Sequence, residues 1–336
     1  MKPGVTMRDV AEKLGISSVT VSKALNDKEG VSEELKEKIK QVAAEMGYQM
    51  NMVAKSMREG YTYNIGVVVS ERFTSKSHSF YLKFYEQISQ VLEEFKYSAI
   101  LHILTVGDEA SLTLPRIYQE RKVDGLIVLG QVGKEYIQVL AGSSAPLAFL
   151  DFYTEQSTID CVITDNFYGM YEMTNYLIQC GHRKLAFVGN LYATSSIQDR
   201  FLGFYKSLLE HHIPLLPDNI ITDRDEEGWW VDFQLPEELP TAFVCNCDLV
   251  AYNLILSLNK NGVRVPEDCS VVGFDNDLFS TLASPQVTTV EVNMNEMART
   301  AARSIIRKIR GKTSGEGRIL VKGKLLIRDS VRSIEV

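Results

Sequence analysis

The pattern of apolar and polar positions changes its period near residue 63. Before that point, apolar residues recur at steps of three and four, which is typical of short amphipathic helices. This part predicts three helices, over about 7–14, 18–25 and 33–46, packed around a small apolar core. Beyond it, near-continuous apolar runs alternate with amphipathic stretches, and this alternation predicts parallel strands buried beneath helices on both faces.

Eight apolar runs in the longer part are candidates for strands. They are residues 64–69, 99–104, 125–130, 146–151, 161–166, 184–189, 241–246 and 270–275. The runs form two sets that separate near residues 152–162, and helical stretches lie between most of them. The predicted fold class is therefore α/β, with two doubly wound parallel-sheet subdomains after a small helical head.

Capping signals mark the ends of the first helices. Thr6 followed by Asp9 forms a capping box with Asp in place of the usual Glu. Gly15 can adopt the left-handed conformation that ends a helix, and Ser17 is a favoured N-cap for the next one. We expect the third helix to begin after Ser32.

The spacing of Ala11, Gly15 and Val21 is that of a helix-turn-helix. The small residue lets two helices approach, the glycine makes the turn, and the valine packs back onto the first helix. The outward positions of the second helix are then Ser18, Val19, Ser22 and Lys23. This pattern favours DNA binding, although an ordinary helical hairpin or a protein-docking cap has the same spacing.

Composition and charge change this picture little. Apolar residues make up 45% of the chain and charged residues 24%, which is ordinary for a soluble globular protein. The net charge of −7 argues against a nucleic-acid partner, but residues 1–61 hold 10 Lys and Arg against 9 Asp and Glu, and the remainder holds 26 against 34. An acidic body with a nearly neutral head can still bind DNA when the head's cations share one face.

Other classes of protein lack support in the sequence. No segment reads as a signal peptide or a membrane span, so we expect a cytoplasmic protein without a membrane partner. The five cysteines are scattered and odd in number, which suits reduced thiols, and Cys245 with Cys247 has no further ligand at metal-binding spacing. Nucleotide-binding and hydrolase motifs do not occur, so we expect no cofactor, no metal and no enzyme activity.

The opening segment resembles one known headpiece in detail. The stretches TMRDVAEKLGISSVTVSKALND and VSEELKEKIKQVAAEMGY are similar to the headpiece of the LacI/GalR (lactose-repressor) family of bacterial transcription regulators, and the similarity continues along the chain. The resemblance implies a helix-turn-helix headpiece over 1–48 and a hinge helix over 49–62. It also implies two periplasmic-binding-protein-like effector subdomains, over 63–161 with 293–320 and over 162–292 with 321–336.

By this resemblance, the second helix reads the major groove through Ser18, Val19 and Lys23. Paired hinge helices insert an apolar residue into the minor groove, where the family usually has Leu and this chain has Met57, which is similar in volume and more pliable. A plain flexible linker over 49–62 is the alternative. The residues expected to contact DNA are Thr6, Ser17, Ser18, Val19, Thr20, Ser22, Lys23, Asn26, Ala54, Lys55 and Met57.

Polar residues at the ends of predicted strands mark a ligand cleft. Two-lobed sheets of this kind bind ligands at the carboxyl ends of their strands. Asp151, Asp165, Asn246 and Asp275 end strand candidates, and Phe152 follows one. Each Asp also has a plainer interpretation as a strand-end cap.

The resemblance extends this cleft and makes Asp275 an effector contact. Trp229 or Trp230 is suited to stack on a sugar face, although ordinary packing explains either. Cys247 stands where the family often has an asparagine that bonds the ligand, and Asn246 is placed to compensate. The candidate ligand-binding residues are Phe80, Tyr81, Asp151, Phe152, Thr194, Ser196, Arg200, Trp229, Asn246 and Asp275.

The carboxyl-terminal part bears on assembly. The family's subunits pair along their lobes, partly through helices after residue 78 and over 293–311, so a homodimer is expected. The tail 317–331 alternates like a closing pair of strands. It carries no leucine heptads, and we therefore expect no tetramerising coiled coil.

Three hypotheses of function remain at this level. The leading one is a ligand-responsive repressor of carbohydrate-utilisation genes that binds a pseudo-palindromic double-stranded operator as a homodimer, with a sugar or glycoside as effector. A sugar-binding protein of periplasmic type has the same lobes but no headpiece. An α/β enzyme would use paired cleft carboxylates, which nothing in the sequence positions. The effector, the operator and the direction of the ligand's effect stay open.

Overall fold

A computed structural model describes residues 5–49, 52–74, 79–156, 158–225, 230–312 and 315–334. The chain divides into two compact units, Met1–Tyr61 and Thr62–Val336. Within the described ranges, no helix has both the length and the apolar character needed to cross a membrane.

The first unit is built from four helices. They are α1 (Met7–Leu14), α2 (Ser18–Leu25), α3 (Glu33–Glu45) and α4 (Met52–Glu59). Val10, Val21 and Ile39 are fully buried, one from each of the first three helices, and alanines fill the space between them. The small helical core that the apolar spacing predicts is therefore present.

The predicted caps of these helices are confirmed. The hydroxyl of Thr6 accepts the backbone N–H of Asp9, and the Asp9 carboxylate accepts the backbone N–H of Thr6 at 2.7 Å, which completes the capping box. Gly15 ends α1 with a φ of 66°, in the left-handed region that glycine adopts at little cost. Ser17 and Ser32 accept backbone N–H groups as N-caps of α2 and α3.

The second unit contains all the strands of the described chain. They are β1 (Asn64–Ser70), β2 (Ser98–Leu104), β3 (Gly125–Leu129), β4 (Leu147–Leu150), β5 (Asp160–Thr164), β6 (Leu185–Val188), β7 (Ile220–Ile221), β8 (Ala242–Cys245), β9 (Ser270–Val272), β10 (Thr289–Glu291), β11 (Arg318–Val321) and β12 (Lys324–Leu326). Six form a parallel sheet in the order β11-β5-β4-β3-β1-β2, and four form a second parallel sheet in the order β7-β6-β8-β9. We call these sheets, with the helices that cover them, the first and second lobes.

Helices cover the faces of both sheets. They are α5 (Ser79–Glu94), α6 (Val106–Ala110), α7 (Arg116–Gln119), α8 (Lys134–Gly142), α9 (Asn166–Gln179), α10 (Ser195–Glu210), α11 (Asp248–Lys260), α12 (Leu278–Leu282) and α13 (Met294–Ile309). In β1, Val67 and Val69 lie in one buried cluster and Val68 in another, because successive side chains of a strand point to opposite faces. The predicted doubly wound α/β architecture is therefore confirmed.

The tail contains the two strands that its alternation predicts. β11 pairs parallel with β5 in the first lobe, whereas β12 pairs antiparallel with β10, so the two strands do not pair with each other. Only Lys322 and Gly323 separate the two strands, and a Cβ at Gly323 would lie 2.7 Å from the side chain of Val290. Alternation along 317–331 identifies strands, but it cannot tell which neighbour each strand pairs with.

Every predicted strand run contains a strand, but the sequence did not reveal them all. The two-residue strand Ile220–Ile221 is too short to produce a recognisable run. The last strand before the second lobe, Asp160–Thr164, pairs within the first sheet, and the predicted subdomain boundary at residue 161 divides it. The exact bounds of the subdomains stay predictions.

Candidate functional site

The outward face of α2 is polar and accessible. Ser18, Val19 and Lys23 are exposed, and Val19, although apolar, leaves 63% of its surface in solvent. Thr20 and Ser22 beside them are half-buried. Since the opposite face of the helix is fixed in the core, this face is held at a defined orientation and is free to meet a partner.

Several predicted DNA contacts also have a structural role in the helix ends. The hydroxyl of Ser17 accepts the backbone N–H of Thr20 at 3.1 Å and lies 2.9 Å from the Thr20 hydroxyl. The side-chain amide of Asn26 donates to the carbonyl of Ser22 at 2.8 Å. Thr6 is the N-cap of α1. These bonds orient the polar groups, and contacts from them to DNA stay predictions.

The short helix α4 carries the predicted hinge residues. Met57 is 84% exposed, Ala54 is exposed, and Lys55 is half-buried. At eight residues, α4 is below the length of about 12–15 at which isolated helices become stable in water. An exposed, pliable apolar side chain on a marginal helix is suited to insertion between bases, and it is not explained by core packing.

A cavity of about 90 Å³ lies in the second unit. Eight of the ten predicted ligand-binding residues line it: Phe80, Tyr81, Asp151, Thr194, Ser196, Arg200, Asn246 and Asp275. Strand ends supply the acids and the amide, α5 supplies the aromatic pair, and the start of α10 supplies the hydroxyls and the arginine. The carboxyl ends of both parallel sheets therefore contribute to one polar site.

Arg200 organises the second-lobe side of the cavity. It is 5% exposed, and its Nε donates to the Asn166 side-chain oxygen at 2.8 Å while Nη1 donates to the Asn246 carbonyl at 2.6 Å. Its Nη2 donates to Oδ1 of Asp275 at 2.9 Å. The guanidinium also lies over the Phe274 ring, 3.9 Å from the centroid. Such a network fixes the charge in place.

The two cavity aspartates have unusual backbones and raised pKa values. Asp151 has a φ of 70° and Asp275 a φ of 106°, in the left-handed region that non-glycine residues seldom occupy. Burial raises the pKa of Asp151 to about 6, against the opposing effects of Arg200 and of the Tyr81 hydroxyl, which donates to Oδ2 at 3.0 Å. Burial also raises the pKa of Asp275 to about 7, opposed by Arg200 and assisted by the nearby Asp151 charge. Strain and desolvated charge together are typical of functional sites.

A second arginine, Arg224, lines the cavity and was not among the predicted ligand-binding residues. Nε and Nη2 of Arg224 both donate to Oδ2 of the fully buried Asp223, and its guanidinium lies 4.6 Å from the Trp230 ring centroid. Asn246 also donates to Asp223 Oδ2, at 2.8 Å. The only sequence signal was an Asp-Arg pair that follows apolar residues 220–221 after Thr222, and that apolar run is too short to read as a strand.

The remaining predicted residues differ in position. Phe152 is buried and stacks on Phe149, with centroids 4.6 Å apart, in the core of the first lobe and not in the cavity lining. It faces inward because the chain turns at Asp151. Asp165 caps α9 by accepting the N–H of Tyr168, which is the plainer interpretation. Trp229 lies outside the described residues.

Further residues line the cavity. Trp230 is one of the two tryptophans considered for stacking on a sugar, and the residues that were not candidates are Phe73, Ile197, Arg224, Cys247, Leu249 and Asp277. Cys247 was noted as a departure from the family, and burial raises the pKa of its thiol to about 12, so it lines the site as a neutral group. In the described part of the chain, no group of His, Cys, Asp and Glu is arranged to hold a metal ion.

Comparison with known proteins agrees with the architecture. Residues 6–51 match the family model for bacterial regulatory proteins of the lacI family, and residues 174–331 match the periplasmic binding protein-like domain. The chain is 29% identical to the probable HTH-type transcriptional repressor ExuR of Bacillus subtilis, over 98% of this chain and 99% of the relative. It is 26% identical to the ribose operon repressor of Haemophilus influenzae, with the same coverage.

Solved structures place the same fold over nearly the whole chain. A lac repressor dimer bound to operator and the anti-inducer ONPF is 25% identical, with a TM-score of 0.73 over 98% of this chain and 100% of that one. A complex of the transcriptional regulator CelR with cellobiose is 23% identical, with a TM-score of 0.69 over 97% of this chain and 99% of that one. The headpiece, the two lobes and these relatives all agree: the chain carries the headpiece domain of the lacI family of bacterial regulatory proteins and a periplasmic binding protein-like domain, and its relatives over nearly its whole length are LacI-type transcriptional repressors.

Proposed function

We propose that this repressor controls carbohydrate-utilisation genes, binds a pseudo-palindromic operator as a homodimer, and changes its operator affinity when a sugar or glycoside occupies the cavity. One observation carries the DNA part of the proposal. The outward face of α2 presents Ser18, Val19 and Lys23 to solvent, while Val21 and Ala24 on the opposite face are fully buried. A helix held in this way can enter a major groove without losing its own packing.

The exposed residues of α2 have the chemistry that base recognition needs. The ammonium of Lys23 donates to guanine O6 or N7, the hydroxyl of Ser18 pairs with several base edges, and Val19 suits the thymine methyl group. A good bidentate contact discriminates between bases by about 1–3 kcal/mol. Lys23 is a point donor and not a planar fork, so its contribution belongs at the lower end of that range.

The cavity has the chemistry of a sugar site. Carboxylates, amides, hydroxyls and arginine N–H groups surround a space that also carries the aromatic rings of Phe80, Tyr81 and Trp230. A sugar ring can contact the polar groups and the aromatic rings at once. Its hydroxyls form hydrogen bonds with the polar groups, and its C–H face packs on an aromatic plane. Support comes from relatives whose names or complexes include ribose, cellobiose and ONPF.

Regulation follows from linkage between the two sites. A ligand that binds one arrangement of the lobes more tightly shifts the population towards that arrangement, and operator affinity changes by the same coupling factor. The coupling is reciprocal, so operator DNA must change ligand affinity equally. This gives the proposal a quantitative check on one protein sample.

The test of operator reading compares two lysines of the headpiece. An operator is selected from random duplexes with the full chain, and affinity is then measured by fluorescence anisotropy at fixed salt. Lys23→Ala is expected to weaken binding about five- to tenfold, which corresponds to about 1 kcal/mol, and to relax base preference at one position of each half-site. Lys38→Ala removes the same charge from an exposed position of α3 and is the control.

Equal losses from the two variants would show a purely electrostatic contact and would contradict base reading by α2. A chain that selects no sequence from the random pool would contradict the proposed operator binding as a whole.

A further inference from the structure

The described residues that line the cavity include more carboxylates than cations. Among the described residues that line it, the charged ones are Asp151, Arg200, Arg224, Asp275 and Asp277. Both arginines form ion pairs with acids of the protein itself, so the cavity wall offers little positive charge to a ligand.

The charge of Arg200 is already balanced. Asp275 accepts from its Nη2 at 2.9 Å, and both side chains are largely withdrawn from solvent. Nε and Nη1 are committed to Asn166 and to the Asn246 carbonyl. The remaining N–H groups of Nη1 and Nη2 can each donate to a ligand oxygen, but the charge that they carry is already balanced by Asp275.

The charge of Arg224 is balanced in the same way. Two of its nitrogens donate to one oxygen of Asp223, whose side chain is fully buried behind it. Its planar face is taken by Trp230. An anion brought to this arginine would lie beside a buried carboxylate that already balances its charge.

Asp151 lines the cavity and forms no ion pair with a described residue. Its Oδ2 accepts the Tyr81 hydroxyl, while Oδ1 is buried and has no hydrogen-bond partner among the described residues. Arg200 acts on it only at a distance, because the hydrogen bonds of that arginine go elsewhere. A buried acceptor without a partner is stabilised by a ligand that donates to it and is repelled by a ligand that carries negative charge.

We propose that the effector is a hydroxyl-rich ligand without negative charge, and that Asp151 is the residue that excludes sugar acids and sugar phosphates from the cavity. This inference rests on the proposed function of the cavity as the effector site. A neutral sugar donates hydroxyls to Asp151 and accepts the remaining Arg200 N–H groups. An amino sugar meets the same requirements through an ammonium, so the shared chemistry is a hydrogen-bond donor of neutral or positive charge.

The test uses sugars that share a ring and differ in one substituent, which is neutral, cationic or anionic. The full chain is titrated calorimetrically at pH 7.5 with glucose, glucosamine, glucuronate and glucose 6-phosphate, with the galactose series, and with ribose and ribose 5-phosphate. We expect binding by neutral or amino members and affinity at least tenfold weaker for each acid or phosphate of the same ring. Comparison of the neutral sugars with the amino sugars shows whether the site prefers a hydroxyl or an ammonium as the hydrogen-bond donor.

An acid or phosphate that binds as tightly as its parent sugar overturns the inference, and so does a complete absence of binding by these sugars. Operator affinity without ligand is measured on the same samples. If operator binding persists while the charge preference fails, the inference is wrong and the DNA-binding part of the proposed function is untouched.

Variants assign the preference to Asp151. Asp151→Asn keeps the shape of the side chain and removes its charge. It is expected to reduce the ratio of the affinity for a neutral sugar to the affinity for the matching acid at least tenfold. Asp218→Asn removes the same charge from an exposed position outside the cavity and is expected to leave the ratio unchanged. Tyr81→Phe removes the hydroxyl that donates to Asp151, and it is expected to increase the ratio of the affinity for a neutral sugar to the affinity for the matching acid. An unchanged ratio in both cavity variants would show that Asp151 does not set the preference.

Discussion

Nη2 of Arg200 lies 2.9 Å from Oδ1 of Asp275, and this buried ion pair ties helix α10 to the segment that follows strand β9. The same guanidinium holds the Asn246 carbonyl at the end of β8. Three pieces of the second lobe that are distant in sequence therefore meet at one side chain. The pair shapes the cavity and also stabilises the lobe around it.

Removal of Arg200 is expected to destabilise the second unit strongly. Arg200→Ala leaves the Asp275 carboxylate, the Asn246 carbonyl and the Asn166 side chain without their donor in a buried place. Breaking a buried pair by removing one partner costs about 3–5 kcal/mol. The measurement is urea unfolding of the full chain, followed by a probe of the second unit.

Arg116→Ala is the matched control for that experiment. Arg116 pairs with Glu120, the residue that follows α7, at the surface, where solvent screens the interaction. We expect little change in its unfolding midpoint. If the two variants lose similar stability, the buried network around Arg200 does not have the role described.

Local rules account for why the headpiece was predictable in detail. The ends of α1 and α2 are fixed by Thr6, Gly15 and Ser17, whose hydrogen bonds and φ angle involve only residues three or four positions away. Sequence spacing contains this information directly. The cavity was partly predictable for a related reason, since Asp151 and Asp275 follow strong apolar strands and such ends converge in parallel sheets.

Long-range pairing was not predictable. Arg224 entered the cavity unnoticed because the strand before it has two residues. Phe152 was expected in the cleft because it follows a strand, but one residue decides whether a side chain points to the cavity or into the core beside Phe149. The tail strands join different neighbours for the same reason, as partner choice depends on the assembled sheets.

The raised pKa of Asp151 predicts a stability that falls as pH rises. Below about pH 4 the carboxyl is protonated in both the folded and the unfolded chain and has no effect. Between about pH 4 and the folded pKa of about 6, the unfolded chain ionises first, so the free energy of unfolding decreases. At about 1.4 kcal/mol per pH unit, the whole decrease is about 3 kcal/mol.

Asp151→Asn removes this titration. Relative to the native chain, the variant is expected to gain about 2 kcal/mol of unfolding free energy between pH 4.5 and pH 7.5, measured by urea unfolding at both values. Asp268→Asn is the control, because Arg264 lowers the pKa of Asp268 to about 2 and its stabilisation is lost only as pH falls below about 4, so this variant is expected to show no such gain between pH 4.5 and pH 7.5. Equal pH dependence in the native chain and the Asp151 variant would contradict the burial of an ionisable group there.

The exposed Met57 predicts an effect on operator affinity alone. Met57→Ala keeps the helix propensity of α4 and removes the side chain proposed to enter the minor groove. We expect at least tenfold weaker operator binding by fluorescence anisotropy, with the affinity of any sugar for the free protein unchanged. Leu216→Ala, which truncates another exposed apolar side chain, is the control. Operator affinity equal to that of the native chain would refute the wedge.

The crossing of α9 and α10 depends on the absence of a side chain at Gly203. A Cβ at this position would lie 2.1 Å from the carbonyl oxygen of Phe167, a backbone atom of the facing helix that no rotamer change can move away. Gly203→Ala gains about 1 kcal/mol of helix propensity, but the two helices must separate, and overpacking of this kind costs about 1–3 kcal/mol or more. Because the obstacle is a backbone atom, we expect the cost of separating the helices to exceed the gain in helix propensity. The unfolding midpoint in urea should therefore fall. Gly142→Ala is the control, since it lies in the last turn of α8 with open space around its Cβ, and it is expected to stabilise the chain by up to about 1 kcal/mol. A Gly203 variant as stable as the Gly142 variant would mean that the two helices do not approach this closely.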